Sequence, residues 1–288
     1  MTMKERRTII CYLLPLAITF SFVIIFPIFL NIYYSFHEKY AFSPIIKFIG
    51  LSNYFKLFSN PIFWNDVLNT LIYTFGSLLL QLIIGFCVAL LLNEEFKGRS
   101  IARTLVILPY FISPVVAVGI FKWMLNELFG VIPQLLRAAN VVHGSIGLLS
   151  NYAMLSLIIV SVWMYAPFVT ICVLAGLQTI PPSLYEAADL DGASAINKLW
   201  YITLPGLKRI IIIVVLLRAI WMATKFDIPW LFLQGGPAGA TETLPVLAYV
   251  ISFREFNFGV GSTVATILFL ALIAFGIFYM RYIESEEV

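Results

Sequence analysis

Six apolar runs, each long enough to cross about 30 Å of hydrocarbon as a helix, set the pattern of this chain. They cover residues 9–34, 68–92, 102–123, 152–177, 207–232 and 258–281. Polar residues cluster between the runs, with few inside them. The pattern predicts an all-α membrane protein of six transmembrane helices, folded as a single domain over 1–288. No internal repeat, low-complexity tract or soluble domain is readable.

One polar island differs from an ordinary connecting loop. Residues 186–208 read EAADLDGASAINKLWYITLPGLK. Just before and into it, Ser183-Leu184-Tyr185-Glu186 has the form of a capping box, in which a hydroxyl and a carboxylate satisfy two orphan backbone donors. Asp191-Gly192 then interrupts the helix, because glycine tolerates the conformation that ends or redirects it. Amphipathic helical spacing resumes through Ile196, Leu199, Trp200 and Ile202, and Leu204-Pro205 is expected to stop it. The prediction for 183–208 is a helix-turn-helix elbow at the membrane surface, a shape suited to docking. Glu186 has two roles open to it, as a cap for its own helix and as a contact for a basic group on a partner.

The remaining connections are shorter or less regular. Residues 35–67 mix aromatic and polar side chains with Pro44, Gly50 and Pro61, which predicts a structured loop with short helices. Asn93 to Arg99 is a tight charged turn. Leu128, Ile132, Leu135 and Leu136 have the spacing of a short amphipathic helix. Gly235-Gly236-Pro237 breaks the chain after the fifth run. Pro109 and Pro114 in the third run and Pro167 in the fourth free backbone groups within the membrane, by a packing kink or by shaping a pathway.

Composition agrees with the pattern. The chain is 61% hydrophobic and 11% charged, which excludes a water-soluble globule. Basic residues orient it. With the N-terminus inside, Lys4, Arg6, Arg7, Lys97, Arg99, Arg103, Lys198, Lys208, Arg209 and Arg281 are cytoplasmic, against Lys39, Lys47, Lys56, Arg137 and Arg254 outside. That bias predicts both termini, and the elbow, in the cytoplasm. The first run is too long for a signal-peptide core and no small-x-small site follows it. Cys11, Cys87 and Cys172 are odd in number and lie in predicted helices, so no disulfide framework is expected. The net charge of +3 reflects the inner loops and carries no implication of nucleic acid.

Catalytic chemistry is missing from the sequence. There is no GxxxxGK[ST] loop to hold ATP, His37 and His143 lack metal-ligand spacing, and no nucleophile triad or paired carboxylates stand out. The informative groups are the few ionisable residues inside the runs. Arg218, Met222 and Lys225 fall on one helical face. Arg218 lies roughly 13 Å beyond Arg209 along a helix, deep enough to face the bundle interior or a water-filled cavity. A guanidinium among aromatic rings suits a hydroxyl-rich ligand; the alternatives are an ion pair or a cation–π contact with Trp221 or Trp163. Lys225 has Asp227 as its candidate partner. Ser161, Tyr165 and Phe168 form a second helical face around Pro167, open to core packing or to a ligand.

The elbow resembles the EAA segment of the permease subunits of bacterial ABC importers. It carries Glu186-Ala187-Ala188, then Asp191-Gly192-Ala193, and after about nine residues Ile202-Thr203-Leu204-Pro205. It departs from that pattern at Leu199, often Phe in the family, and at Arg209, often Pro. The resemblance implies a type I importer permease fold with a coupling helix between helices 4 and 5. It implies that Glu186, Ala187, Ala188, Asp191, Gly192, Ala193, Leu204 and Pro205 engage an ATP-binding-cassette subunit, with Glu186 facing a basic residue there.

Further matches are similar to the carbohydrate branch, the maltose- and trehalose-type permeases. They are Gly50-Leu51-Ser52-Asn53-Tyr54, Phe63-Trp64, Asn69-Thr70, Leu108-Pro109-Tyr110, Phe129-Gly130, and Gly235-Gly236-Pro237 with Thr241-Glu242-Thr243. This branch implies sugar contacts in a mid-membrane cavity at Ser161, Met164, Tyr165, Phe168, Arg218, Met222 and Lys225. It also implies a second permease subunit, two ATP-binding-cassette subunits that hold the ATP and Mg, an extracytoplasmic sugar-binding protein, and no cofactor on this chain. Function by implication is import of a di- or oligosaccharide across the cytoplasmic membrane by alternating access. The competing readings are glycerol-phosphate or polyamine import, a membrane scaffold, and an ion-coupled secondary transporter. The last has only Asp227 as an intramembrane acid, and a cationic ligand sits poorly beside Arg218.

Overall fold

The computed structural model describes residues 3–141, 144 and 146–286, without the side chains of residues 3–11, 282 and 284–286. His143 and the side chains of Lys4, Arg6, Arg7 and Cys11 therefore lie outside the described residues. The chain begins with α1 (Met3–Phe20), a π-helical turn (Ser21–Ile25) and α2 (Phe26–Ser35). A two-stranded antiparallel hairpin follows, β1 (His37–Glu38) and β2 (Lys47–Phe48), then α3 (Ser52–Phe58) and the long α4 (Pro61–Asn93). Next come α5 (Arg99–Phe111), α6 (Pro114–Met124), α7 (Val131–Ala138), α8 (Ala153–Leu177), α9 (Pro182–Leu190) and α10 (Ala195–Lys198). A second π-helical turn (Leu199–Thr203) leads into α11 (Leu204–Ala223), followed by α12 (Asp227–Leu233) and α13 (Leu244–Tyr249). A third (Val250–Arg254) precedes α14 (Phe258–Glu286).

Four helices among the described residues are long and apolar enough to cross a membrane: Tyr12–Ser35, Pro61–Asn93, Ala153–Leu177 and Phe258–Arg281. They match the first, second, fourth and sixth apolar runs. The third run is not one helix. It bends by 96° between α5 and α6, because Pro114 forces Ser113 into extended backbone (ψ 135) and then supplies the first turn of a new helix, where its missing N–H is harmless. The bent pair makes a fifth span if it is counted as one. The fifth run also ends earlier than expected, at Ala223 rather than near 232. Pro229 cannot donate to the carbonyl of Lys225; the chain restarts as α12, where the Asp227 carboxylate accepts the Ile228 N–H at 2.9 Å.

Two compact units emerge. One comprises residues 1–64 and 247–273 and the other residues 65–246 and 274–288. Within the first, amide and hydroxyl side chains join the chain ends. Asn31 Nδ2 donates to Thr266 Oγ1 at 3.2 Å. Asn53 Nδ2 donates to the carbonyls of Ser35 and His37, and Thr263 Oγ1 donates to Ser35 O. The segment 35–67 is thus a structured loop containing a short helix, as expected, plus a hairpin that its sequence did not announce.

The second unit is built around α4 and α8. From residue 66 onward α4 has a polar inside and an apolar outside. Asp66, Asn69, Thr70, Tyr73, Thr74, Ser77 and Gln81 are all buried, while Leu68, Leu71, Ile72, Phe75, Leu79 and Ile83 are exposed. In water that arrangement would be unstable. In hydrocarbon it is the expected one, because polar groups are kept away from lipid. Asn69, Thr70, Tyr73 and Gln81 have hydrogen-bond partners there, whereas the Asp66 carboxylate and the Thr74 and Ser77 hydroxyls have none among the described residues. The buried Asp66 also corrects the expectation that Asp227 is the sole acid of this kind.

Apolar packing below it is close. Gly85 lets α4 approach α8 so tightly that a Cβ there would sit 2.7 Å from Val169 Cβ and 3.1 Å from the Ala166 carbonyl. Replacement Gly85→Leu should therefore destabilise the chain by about 2 kcal/mol or more through overpacking. The thermal unfolding midpoint of the detergent-purified protein checks this, and an unchanged midpoint would contradict the α4–α8 contact.

Candidate functional site

The two helical faces singled out in the sequence meet in the second unit. A cavity of about 510 Å³ is lined by Tyr110 of α5, Tyr165 of α8, and Arg218, Trp221 and Met222 of α11. Its remaining wall is the connection from Thr224 to Asp227. Arg218 is only 2% exposed. Its guanidinium carbon lies 4.9 Å from the Tyr165 ring centre and 5.8 Å from those of Phe168 and Trp221. Trp163, the other ring considered, instead packs edge-on against Phe121.

The partner of Arg218 is an amide. Arg218 Nε and Nη2 both donate to Gln81 Oε1, at 2.8 and 2.6 Å. The amide nitrogen of Gln81 then points to Met222 Sδ at 3.2 Å, and Arg218 Nη2 lies 3.4 Å from the same sulfur. Gln81, Arg218 and Met222 thus form one knot between α4 and α11. Lys225 behaves as anticipated, pairing with Asp227 at 3.2 Å, and its ammonium also sits 4.7 Å from the Tyr165 ring centre.

Other expected residues are placed differently. Ser161 is fully buried and shares a 2.8 Å hydrogen bond with Tyr73, and Met164 lies in the apolar core with Leu157 and Phe232. Neither reaches the cavity lining in this conformation. Phe168 borders it, packing edge-on to Trp221 and stacking on Tyr110. Gln81, Tyr73 and Tyr110 were not singled out as site residues. The available signal for Gln81 was an amide alone in the middle of the second apolar run.

The elbow is present, with two corrections. Pro181 and Pro182 start α9, so Ser183 lies inside its first turn and forms no capping box; proline at the first helical position sets the start instead. Glu186 is exposed, and its carboxylate makes no hydrogen bond or ion pair among the described residues. Leu204-Pro205 does not stop the second arm either. The π-helical turn at Leu199–Thr203 widens the backbone just ahead of Pro205, and α10 runs on into α11.

The turn between the arms is as the sequence implied. Gly192 adopts φ +72. The Ala193 N–H donates to Ala188 O at 2.9 Å and the Gly192 N–H to Asp189 O at 3.1 Å, the paired bonds of a Schellman motif. Ser194 caps the second arm by accepting the Asn197 N–H. Lys198 bridges to Asp189 at 2.7 Å and Tyr185 shares a 3.0 Å bond with Thr203, so both arms are tied together. Of the elbow residues, Ala187, Asp191, Gly192 and Pro205 are exposed, and Ala188, Ala193 and Leu204 are half-buried. Large apolar side chains stand out from it: Leu190 is 90% and Tyr201 80% exposed, with Ile196 and Trp200 also exposed.

The Tyr73–Ser161 bond offers a direct check on the packing beside the cavity. Tyr73→Phe leaves a buried serine hydroxyl without its partner and should cost about 1–3 kcal/mol. Adding Ser161→Ala should return part of that loss. Thermal unfolding of the single and double variants decides it: strictly additive losses would mean that the two hydroxyls do not interact.

Comparison with known proteins fits this architecture. Residues 81–286 match the family described as binding-protein-dependent transport system inner membrane component. The chain is 34% identical over 283 residues to the trehalose/maltose transport system permease protein MalF of Thermococcus litoralis, covering 97% of this chain and 95% of that one. It is 33% identical to the sulfoquinovosyl glycerol transport system permease protein SmoG of Agrobacterium fabrum, covering 98% and 92%. A subunit in the crystal structure of a bacterial ABC transporter that imports the acidic polysaccharide alginate has the same fold, with TM-score 0.83 at 24% identity over 97% of this chain and 96% of that one. With its several apolar helices, this is a multi-pass inner-membrane protein. The chain belongs to the binding-protein-dependent transport system inner membrane component family, the permease subunits of ABC transporters.

Proposed function

We propose that this chain forms half of the translocation pathway of an ATP-driven importer for a di- or oligosaccharide such as trehalose or maltose. The supporting observation is mechanical. A helical path without a break runs from Ala195 at the elbow through the π-helical turn into α11, which carries Arg218 and Met222 at the cavity. Its length from Ala195 to Arg218 is roughly 35 Å at 1.5 Å per residue. A push on the elbow would therefore reach the cavity through one stiff element.

The elbow has the character of a docking site. Glu186 is exposed one helical turn from exposed Leu190, and Ile196 is exposed on the second arm, so apolar and charged groups are offered together. In this reading two ATP-binding-cassette subunits hold ATP and Mg in the cytoplasm, and one of them receives the elbow with a basic residue opposite Glu186. Six spans then place both termini inside: the first, second, fourth and sixth runs, the bent α5–α6 pair, and α11. A second permease subunit completes the pathway, and an extracytoplasmic binding protein delivers the sugar. Alternating access follows from rocking of these helices as the ATPase subunits close.

Within the cavity, aromatic faces and the charged donors of Arg218 and Lys225 match a ligand rich in hydroxyls. Asp227 gives an ion-coupled mechanism little support, since it is already paired with Lys225. Glycerol-phosphate remains a candidate ligand of the same site, distinguished by direct competition with sugar.

Glu186→Arg reverses the charge offered to the ATPase subunit, and Gly192→Val places a β-branched residue at positive φ. In proteoliposomes holding the assembled importer, each should lower binding-protein-stimulated ATP hydrolysis and sugar uptake together by about tenfold or more, equivalent to losing roughly 1.4 kcal/mol of coupling. Undiminished uptake in both variants, or uptake driven by an ion gradient without ATP, would overturn this function.

A further inference from the structure

Arg218 has five N–H donors, and the structure accounts for them unevenly. Nε and Nη2 are directed at Gln81 Oε1, and Nη2 also approaches Met222 Sδ. Nη1 makes no hydrogen bond among the described residues. It also differs from Arg103 Nε and Arg137 Nε, which are sealed from solvent without a partner. Arg218 lines the cavity, so the edge left for a ligand is the Nη1 edge. What turns that edge outward is the grip of Gln81 on the opposite side. Gln81 is itself fully buried and held by its second bond to Met222.

We propose that Gln81 is a positioning residue for ligand recognition: it clamps the inner edge of the Arg218 guanidinium so that Nη1 is presented to a sugar hydroxyl in the cavity. The argument rests on the carbohydrate-import reading above. It concerns geometry at fixed charge. Without an acceptor at position 81, the guanidinium has three flat ring faces around it, which favour it being near but fix no rotation about its own plane. An amide oxygen that receives two N–H groups at 2.6–2.8 Å does fix that rotation. Gln81 touches no ligand in this account; it acts through Arg218.

An external binding protein would mask the effect in a transport assay, because it sets the concentration at which sugar is captured. Binding is therefore measured directly, on the assembled permease pair with its ATPase subunits and without the binding protein. Labelled trehalose, maltose and sulfoquinovosyl glycerol serve as probes. Gln81→Met keeps the volume and removes the acceptor, and Kd for the bound sugar should rise about tenfold, as for loss of one oriented hydrogen bond. Gln81→Glu keeps an acceptor in the same place, and Kd should stay within about threefold of the unaltered assembly. Should Gln81→Met fail to assemble, Gln81→Asn, one methylene too short to hold both nitrogens, should show the same rise.

An unchanged Kd in Gln81→Met, or an equal rise in Gln81→Glu, would overturn the positioning role while leaving the importer reading in place. An unaltered assembly that binds none of the three sugars would instead overturn the carbohydrate reading, and the positioning role with it.

Discussion

A buried cation must be held by something, and much of the second unit is arranged to hold Arg218, which is 2% exposed. Placing an arginine at the centre of a span costs about 2.5–3.5 kcal/mol on insertion scales. A hydrogen bond to a charged group contributes about 1.5–3 kcal/mol, and a desolvated cation–π contact about 2 kcal/mol. The Gln81 amide and the rings of Tyr165, Phe168 and Trp221 are therefore of the right magnitude together to offset the cost. They come from three helices, α4, α8 and α11. Meeting the needs of one side chain fixes how those helices face one another.

The same constraint explains why α4 is polar inside. Its inward face carries Asp66, Thr70, Tyr73, Ser77 and Gln81 in helical register, each buried. Some of these groups tie down their surroundings: Asn69 holds the Gly239 carbonyl, Thr70 accepts the Leu244 N–H, Tyr73 bonds Ser161, and Gln81 bonds Arg218. The segment after Gly235 and the helices α8 and α11 are thus attached to α4 by specific bonds in addition to apolar contact. Apolar contact alone would be weakly discriminating here, because lipid offers the same kind of surface.

Much of this was legible from the sequence, for reasons that differ by element. Spans two, four and six were found because a long apolar run without interruption has few alternatives to a helix. The Asp191-Gly192 turn was legible because only glycine takes φ +72 cheaply. The faces Arg218–Met222–Lys225 and Tyr165–Phe168 followed from helical spacing, and they do converge. The break at Ser113 was foreshadowed by two prolines, yet a kink and a 96° turn have the same sequence signature. The capping box failed since Pro181-Pro182 won the competition for the helix start. Gln81 was illegible as a partner: the residue it holds is 137 positions away, and no local pattern encodes that. Ser161 and Met164 share a helix with Tyr165 but face the core, which spacing alone does not separate.

The elbow and the arginine knot are parts of one mechanical system. α11 carries Arg218, and the same continuous helix begins at the elbow with Ala195. At the elbow end, the Asp189–Lys198 bridge and the Tyr185–Thr203 bond join the two arms, so displacement of α9 is passed to the second arm instead of being absorbed by the turn. The exposed bridge adds little stability by itself; its contribution is geometric. At the other end, bonds of 2.6–2.8 Å to Gln81 allow no large slip of α11 past α4 without breaking. Two outcomes exist for a movement begun at the elbow: α4 travels with α11, or the knot opens and the guanidinium reorients. Each of the two bonds is worth about 1.5–3 kcal/mol, so opening the knot costs on the order of the roughly 5.5 kcal/mol of differential binding that carries a two-state equilibrium from 1:99 to 99:1. In the importer reading proposed above, the knot would therefore hold the cavity in one state, and opening it would draw on most of the free energy that a bound partner supplies.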